Sequence, residues 1–244
     1  MKYVRIQTMD GSIHQGLLED DVVTITENGK KTEVDAGKVK FLAPSLFSKA
    51  VCIGLNYRDH AEEFGLPIPE KPIVFLKPST SVIGPDDDII YPPICKRLDY
   101  EAELAVVIGK KCRNVSEKDA LDYVMGFTIA NDVTARDLQP KDGQWTIAKG
   151  FDTFMPLGPY ISDEVDFSNL MITSRVNGVT KQKSNTSNLI FSVPYLISYI
   201  SSVMTLLPGD VISTGTPGGI SGMQKRDVVE IEIEGLGILR NTIA

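Results

Sequence analysis

Residues 98–110 read LDYEAELAVVIGK, and the pattern within them decides the fold. Leu98, Tyr100, Ala102, Leu104, Val106 and Ile108 alternate as the buried face of a β-strand. The other wall of the same strand carries Asp99, Glu101 and Glu103, then turns apolar at Ala105 and Val107. Side chains at i and i+2 of a strand lie ~6.5 Å apart along the chain. Two carboxylates at that spacing repel by roughly 2 kcal/mol at an effective dielectric of ~20. Three conditions make such a wall tolerable: water along it, protonation of one acid, or a cation between them.

A second apolar stretch, GFTIANDV (126–133), ends in another isolated acid, Asp132. Carboxylates from two strands, with no histidine nearby in sequence, form an oxygen-ligand set of the kind chosen by Mg²⁺ or Mn²⁺. Zinc is disfavoured, because the chain has only two histidines, His14 and His60, and no cysteine cluster. Cys52, Cys95 and Cys112 form no CxxC pair and leave an odd count, which argues against a disulfide framework.

Outward from this segment, the 244 residues suffice for one large domain or one domain with a small appendage. Hydrophobic residues make up 42% of the chain and charged residues 23%, enough to bury a sizeable core. The net charge of −7 argues against a nucleic acid or an anionic membrane as partner, since both require basic patches. The amino terminus lacks the apolar run of a signal peptide, and no stretch of membrane-spanning length occurs. A cytoplasmic location is therefore expected.

Residues 1 to about 35 read as a small antiparallel meander of three alternating runs closed by the turn signal ENGKK. From about residue 45 longer β segments follow, among them AVCIGLN, PIVFLKP, ELAVVIGK, GFTIAND and PLGPYI. Two helices are expected. SEKDALDYVM has Ser116 as N-cap and ends at Gly126; PYLISYISSVM has Pro194 in its first turn and Leu196, Ile197 and Ile200 on one face. VVEIEIEGLGIL alternates strictly and predicts a half-exposed strand. The fold class is α+β and β-dominated.

His60 follows the strand AVCIG and has Glu63 three residues on, within reach across one helical turn. A carboxylate there holds the imidazole in one tautomer and lets it accept a proton from water. His14 lies in the meander, where a half-exposed structural histidine is expected. The loop GTPGGISG (215–222) reads either as a tight surface turn or as a row of backbone N–H groups able to hold a carboxylate. The nucleophile elbow GxSxG, the zinc motif HExxH and the phosphate loop GxxxxGK[ST] are absent from the sequence.

In order along the chain, GLNYRDHAEE, FLKPSTSVIGP, DYEAELAVVIGK, GFTIANDVTARDLQ, KGFDTFMPLGP and LLPGDVISTGTPGG resemble the fumarylacetoacetate hydrolase family from about residue 50 onward. That resemblance implies a mixed β-sandwich roll (residues 46–244) preceded by a small amino-terminal β domain (residues 1–45). It implies Mg²⁺, with Mn²⁺ as the substitute, held by Glu101, Glu103 and Asp132. His60 and Glu63 match the family's water-activating pair, Lys149 its lysine near the metal, and Gln139 and Thr216 its substrate contacts. Asp99 matches no ligand. The turn KRDVVEIEIEG departs from the family pattern, which commonly has Gly-Asp there. A homodimer is expected by the same likeness. The implied activity is hydrolysis of a C–C bond in a 2-oxo or diketo acid of the acylpyruvate or fumarylpyruvate type. The alternatives are decarboxylation or isomerisation of oxaloacetate or unsaturated 2-oxo-diacids, and a non-catalytic oxo-acid-binding relative.

Overall fold

In the computed structural model, which describes all residues except 64, 66 and 142, the 98–110 stretch forms two strands rather than one. Leu98–Asp99 pairs with Thr134–Ala135 and Gly222–Met223 in a three-stranded sheet, while Ala102–Ile108 runs through the middle of a much larger one. The ladder is interrupted at Tyr100 and Glu101. There Glu101 N donates to Asn131 Oδ1 at 3.0 Å, and Ala102 N donates to Gln182 Oε1 at 3.1 Å. Side chains satisfy the backbone groups that strand pairing leaves open. Asp99 lies outside the converging set of Glu101, Glu103 and Asp132, and Arg136 bridges it to Glu101.

The large sheet runs in the order Lys30–Asp35, Val22–Glu27, Ile13–Glu19, Lys2–Gln7, Met155–Ser162, Val124–Asn131, Ala102–Ile108, Val211–Ser213, Lys49–Ile53, Val74–Pro78. The expected meander is thus a hairpin series that continues the main sheet, joined to it where Lys2 faces Ser162 and Tyr3 faces Ile161. It keeps its own small core of Val4, Ile6, Val23 and Ile25 against Tyr160. Ala102–Ile108 is buried along its whole length. Leu104 and Val106 pack with Ile172, Ile231 and Ile233 of a five-stranded sheet and with Leu196, Ile197 and Ile200 of the helix Val193–Val203. On the other face Ala105 and Val107 pack with Cys52, Ala130, Met155 and Leu157. This β-dominated α+β arrangement agrees with the expected fold class.

Two local expectations are corrected. SEKDALDYVM forms a 3₁₀ helix over Glu117–Tyr123, not an α-helix. The Ser116 hydroxyl donates to Asp119 Oδ2 at 2.7 Å instead of capping the backbone, and the next strand begins at once at Val124. VVEIEIEGLGIL is a hairpin, Val228–Ile233 paired with Gly237–Ile243, and its turn uses the left-handed φ of Gly235 (+75°). Asp99, which matches no ligand of the family, pairs with Arg97 and Arg136. The helix Val193–Val203 agrees with its sequence pattern, capped by Ser192 Oγ accepting from Tyr195 N. All three cysteines are buried and unpaired. Among the described residues no helix is long and apolar enough to cross a membrane.

Candidate active site

Three backbone segments meet at the carboxylates. Glu101 sits at the break before the central strand, Glu103 is the second residue of that strand, and Asp132 follows the antiparallel neighbour Val124–Asn131, whose Asn131 faces Ala102. Asp132 N donates to Glu101 O at 3.0 Å, which ties the two acids together through the backbone. One oxygen from each of Glu101, Glu103 and Asp132 lies within 4.8 Å of the others, and all three residues are buried.

Two buried ammonium groups border this set. Lys149, from the short helix Thr146–Lys149, donates to Glu101 Oε2 at 2.8 Å and to Asp132 Oδ2 at 2.6 Å. Lys77, from the strand Val74–Pro78, donates to Asp132 Oδ1 at 2.5 Å and to Val133 O at 3.1 Å. Arg136 Nη2 reaches Glu101 Oε1 at 2.5 Å. Burial alone would raise the Glu101 carboxyl, but Lys149 and Arg136 overcome that and hold it down at about 2. Glu103 is different. Burial, reinforced by the charges of Asp132 and Glu101, pushes it well above the usual carboxylate range. Its Oε2 accepts from Ser213 Oγ at 2.5 Å and Gly215 N at 2.9 Å, while its Oε1 is buried with no hydrogen-bond partner among the described residues. Lys149 stays charged because its two carboxylates outweigh the desolvation that would lower it.

A cavity of about 550 Å³ opens beside Glu101 and Lys149. Its polar wall includes His60, Arg97, Arg136, Gln139 and Thr216, and its apolar wall includes Ile53, Leu55, Ile73, Trp145 and Ile220. The size falls within the range of small-ligand pockets. Hollows of similar size over the amino-terminal meander bring together no comparable set of buried charges among the described residues.

His60 lies on the short helix Arg58–Glu63. Asp59 Oδ1 accepts from His60 N at 2.8 Å, and Asp59 Oδ2 accepts a short hydrogen bond from Ser184 Oγ, so the helix is fastened to the five-stranded sheet. Burial lowers the His60 pKa below its ordinary 6.5. Its Nδ1 stands 3.8 Å from Glu63 Oε2, beyond hydrogen-bonding distance. Glu63 instead accepts from Gly219 N at 2.9 Å. The glycine loop therefore offers N–H groups to carboxylates of the chain itself: Gly215 to Glu103 and Gly219 to Glu63. A Cβ at Gly218 would stand 2.7 Å from Glu63 Oε2, so a larger residue there would push the Glu63 carboxylate from its present position beside Gly219 N.

The structure thus assembles Glu101, Glu103, Asp132 and Lys149, and sets His60, Gln139 and Thr216 on the same cavity. The model of the fumarylacetoacetate (FAA) hydrolase C-terminal domain matches residues 49–244, four-fifths of the chain. The chain belongs to the fumarylacetoacetate hydrolase family. Residues 1–44 match a second model, the Rv2993c-like amino-terminal domain. Among relatives of this family, a rat mitochondrial protein named oxaloacetate tautomerase Fahd2a is 45% identical over 222 residues, covering 86% of this chain and 71% of that one. A Mycobacterium smegmatis crystal structure described as 5-carboxymethyl-2-hydroxymuconate delta-isomerase is 43% identical, with a TM-score of 0.92 and coverage of 100% and 98%. A Sphingobium maleylpyruvate hydrolase solved with manganese(II) and pyruvate is 26% identical, with a TM-score of 0.85 and coverage of 100% and 99%.

Within this family frame the site passes a chemical test for a hard divalent cation. The donors are all carboxylate oxygens, three of them converge, and the buried Glu103 Oε1 has no hydrogen-bond partner among the described residues. Leaving such an oxygen unpaired costs about 1–3 kcal/mol or more, which a cation would offset.

Three contributors escaped the reading of the sequence. Lys77 had a signal, a lone lysine inside the apolar run PIVFLKP, of the same kind as the acids in LDYEAEL. Arg136 stands in the TARD motif but had no assigned partner. Gln182 gave no signal, since it lies in the polar strand Val179–Asn185, yet it is fully buried and donates to Thr216 Oγ1 at 2.7 Å and Pro217 O at 2.8 Å.

Proposed function

We propose that the chain is a divalent-metal-dependent enzyme that interconverts enol and keto forms of a 2-oxo acid, an isomerase- or tautomerase-type reaction at the carbon beside the oxo group. The observation that carries this reading is one cavity in which a histidine uncharged at neutral pH faces the same space as Glu101, Lys149 and Thr216. The relatives named as tautomerase and isomerase, at 45% and 43% identity, support it over the hydrolase at 26%.

Glu101, Glu103 and Asp132 would hold Mg²⁺ or Mn²⁺, and such a cation supplies Lewis-acid polarisation of a carbonyl. His60 takes the proton from the carbon beside the oxo group and delivers it to the oxo oxygen as the enol forms, and in the keto direction it takes the enol O–H proton and places it on that carbon, acting as general base and then as general acid. Lys149 uses two of its three N–H bonds on Glu101 and Asp132, which leaves one for a substrate oxygen that gains negative charge. Thr216 Oγ1 already accepts from Gln182, so its own hydroxyl proton is available to donate. Gln139 Oε1 accepts from Arg136 Nη1 at 2.6 Å, which turns its amide N–H₂ toward other acceptors.

A second reading, hydrolytic C–C cleavage of an acylpyruvate or fumarylpyruvate, is favoured by the placement of Glu63 one turn from His60, where it could hold the imidazole for removing a proton from water. Decarboxylation of oxaloacetate would use the same enol chemistry without that water. The test follows the ultraviolet absorbance of oxaloacetate, acetylpyruvate and fumarylpyruvate with Mg²⁺ and with excess chelator. Chelator-sensitive acceleration of oxaloacetate enol–keto equilibration, with the carbon skeleton intact, is the expected result. Cleavage of a diketo acid would move the assignment to the second reading. No turnover of any of them would refute both and leave a binding protein.

A further inference from the structure

The three cations on the cavity wall differ in how far the protein satisfies them. Arg136 commits all three nitrogens, to Asp99 at 2.8 Å, Gln139 at 2.6 Å and Glu101 at 2.5 Å. Lys149 is buried between Glu101 and Asp132. The Arg97 guanidinium bonds a single side chain, Asp99, through Nε at 2.9 Å and Nη2 at 3.1 Å, while the Arg97 backbone N donates to Asp137 Oδ1 at 3.1 Å. Its side chain is 54% exposed on the cavity wall, and its Nη1 makes no hydrogen bond with any described residue. Asp99 is fully buried and answers both guanidinium groups with one charge.

A charge balance over this region points the same way. With Glu103 ionised as a cation ligand would be, Lys77, Arg97, Arg136 and Lys149 stand against Asp99, Glu101, Glu103 and Asp132, four against four, and Asp137, which accepts from the Arg97 backbone N, lies outside the cavity lining. Glu63 lies outside the cavity lining and is held by Gly219 N. A bound divalent cation adds two positive charges, and one substrate carboxylate removes only one of them. The remaining positive charge is least compensated at Arg97, where a half-exposed guanidinium edge meets the solvent of the cavity.

We propose that Arg97 is a specificity-determining residue that receives a second carboxylate of the substrate, so that the site takes 2-oxo dicarboxylates in preference to 2-oxo monocarboxylates. This inference rests on the functional reading above and narrows its substrate class. The guanidinium edge suits a carboxylate geometrically, because it presents N–H donors in a fixed plane. Arg97 lines the same cavity as Glu101 but is separated from it by three successive ion pairs, Arg97–Asp99, Asp99–Arg136 and Arg136–Glu101, so a carboxylate on Arg97 is a contact distinct from the cation-binding acids.

The chain's single tryptophan, Trp145, lines the same cavity, so its fluorescence reports binding without turnover. The Mg²⁺-loaded protein is titrated with 2-oxoglutarate against 2-oxopentanoate, with 2-oxoadipate against 2-oxohexanoate, and with oxalate as control. Each pair differs only in the distal carboxylate. The expected preference for the diacid is about 10-fold for at least one chain length, the scale of one partly solvated charge-assisted contact. Arg97→Gln should abolish that preference while leaving the monoacid affinity unchanged, and Arg97→Lys should keep part of it. Equal affinity within both pairs, or a preference that survives Arg97→Gln, overturns the role of Arg97. Oxalate binding in that case leaves the broader 2-oxo-acid reading standing, whereas failure of oxalate to bind as well overturns both.

Discussion

Replacing Lys77 with methionine removes a buried charge while nearly keeping the volume, so little cavity cost is added. Asp132 is fully buried and is answered by two ammonium groups, Lys77 on Oδ1 at 2.5 Å and Lys149 on Oδ2 at 2.6 Å. Removing one partner of a buried ion pair costs about 3–5 kcal/mol when the other charge is left alone. Here Lys149 remains and roughly halves that cost, while the lost bond to Val133 O adds about 1 kcal/mol. The expected destabilisation of the metal-free protein is therefore about 3 kcal/mol. For a chain of this length each kcal/mol lowers Tm by about 2–4 °C, so a drop of about 6–12 °C is expected. Magnesium should recover a larger share in Lys77→Met than in the parent, because a cation on Asp132 takes over the task of the missing ammonium. Scanning calorimetry in chelator and in Mg²⁺ reads both quantities. A variant within about 1 °C of the parent in chelator, or equal Mg²⁺ shifts in the two proteins, would refute the reasoning.

Other outcomes follow from the same geometry. Glu103→Gln should raise the metal-free Tm at neutral pH by about 2–4 °C, roughly 1 kcal/mol, since it removes a charge whose folded pKa is raised and whose ionisation therefore opposes folding as pH rises above its unfolded value. The same variant should lose Mg²⁺ binding by calorimetric titration, and unchanged affinity would sink the ligand assignment. Because burial lowers the His60 pKa, the acid limb of kcat/KM should have its midpoint below pH 6.5; His60→Ala should reduce the rate by about 10²–10⁴-fold and erase that limb. A midpoint above pH 6.5 in the parent would count against His60 as the base. Arg226 adopts φ +74° in the turn before the last hairpin, so Arg226→Gly should add about 0.5–1 kcal/mol in thermal unfolding, and a lower Tm would show that the turn is not strained.

The fold was legible where side-chain burial alone sets the pattern. The strand Ala102–Ile108, the helix Val193–Val203 and the hairpins of the meander each follow from a periodicity that any packing would preserve. The break at Tyr100 and Glu101 was not legible, because it depends on Asn131 and Gln182 standing in for ladder partners, and those residues are distant in sequence. The same holds for the 3₁₀ segment, where a Ser116–Asp119 side-chain bond competes with the cap that the same two residues suggest. In the site, the acids and His60 stood out because charge among apolar neighbours is anomalous locally. Arg136 and Gln182 did not, since their surroundings in sequence are polar and only the tertiary fold buries or engages them. Lys77 lay between these cases and could have been found by the reasoning applied to Glu101.

The glycine loop after Ser213 gives one N–H, from Gly215, to Glu103 and another, from Gly219, to Glu63. Five residues of backbone thus act as a gauge between the cation-binding acids and the carboxylate beside His60. Lengthening or shortening this loop by one residue displaces both ends at once, so the spacing of acid and base cannot be adjusted from here without dismantling the cation site. Changes in substrate reach have to come instead from the walls that the gauge does not touch, such as Arg97, Ile73 and Trp145.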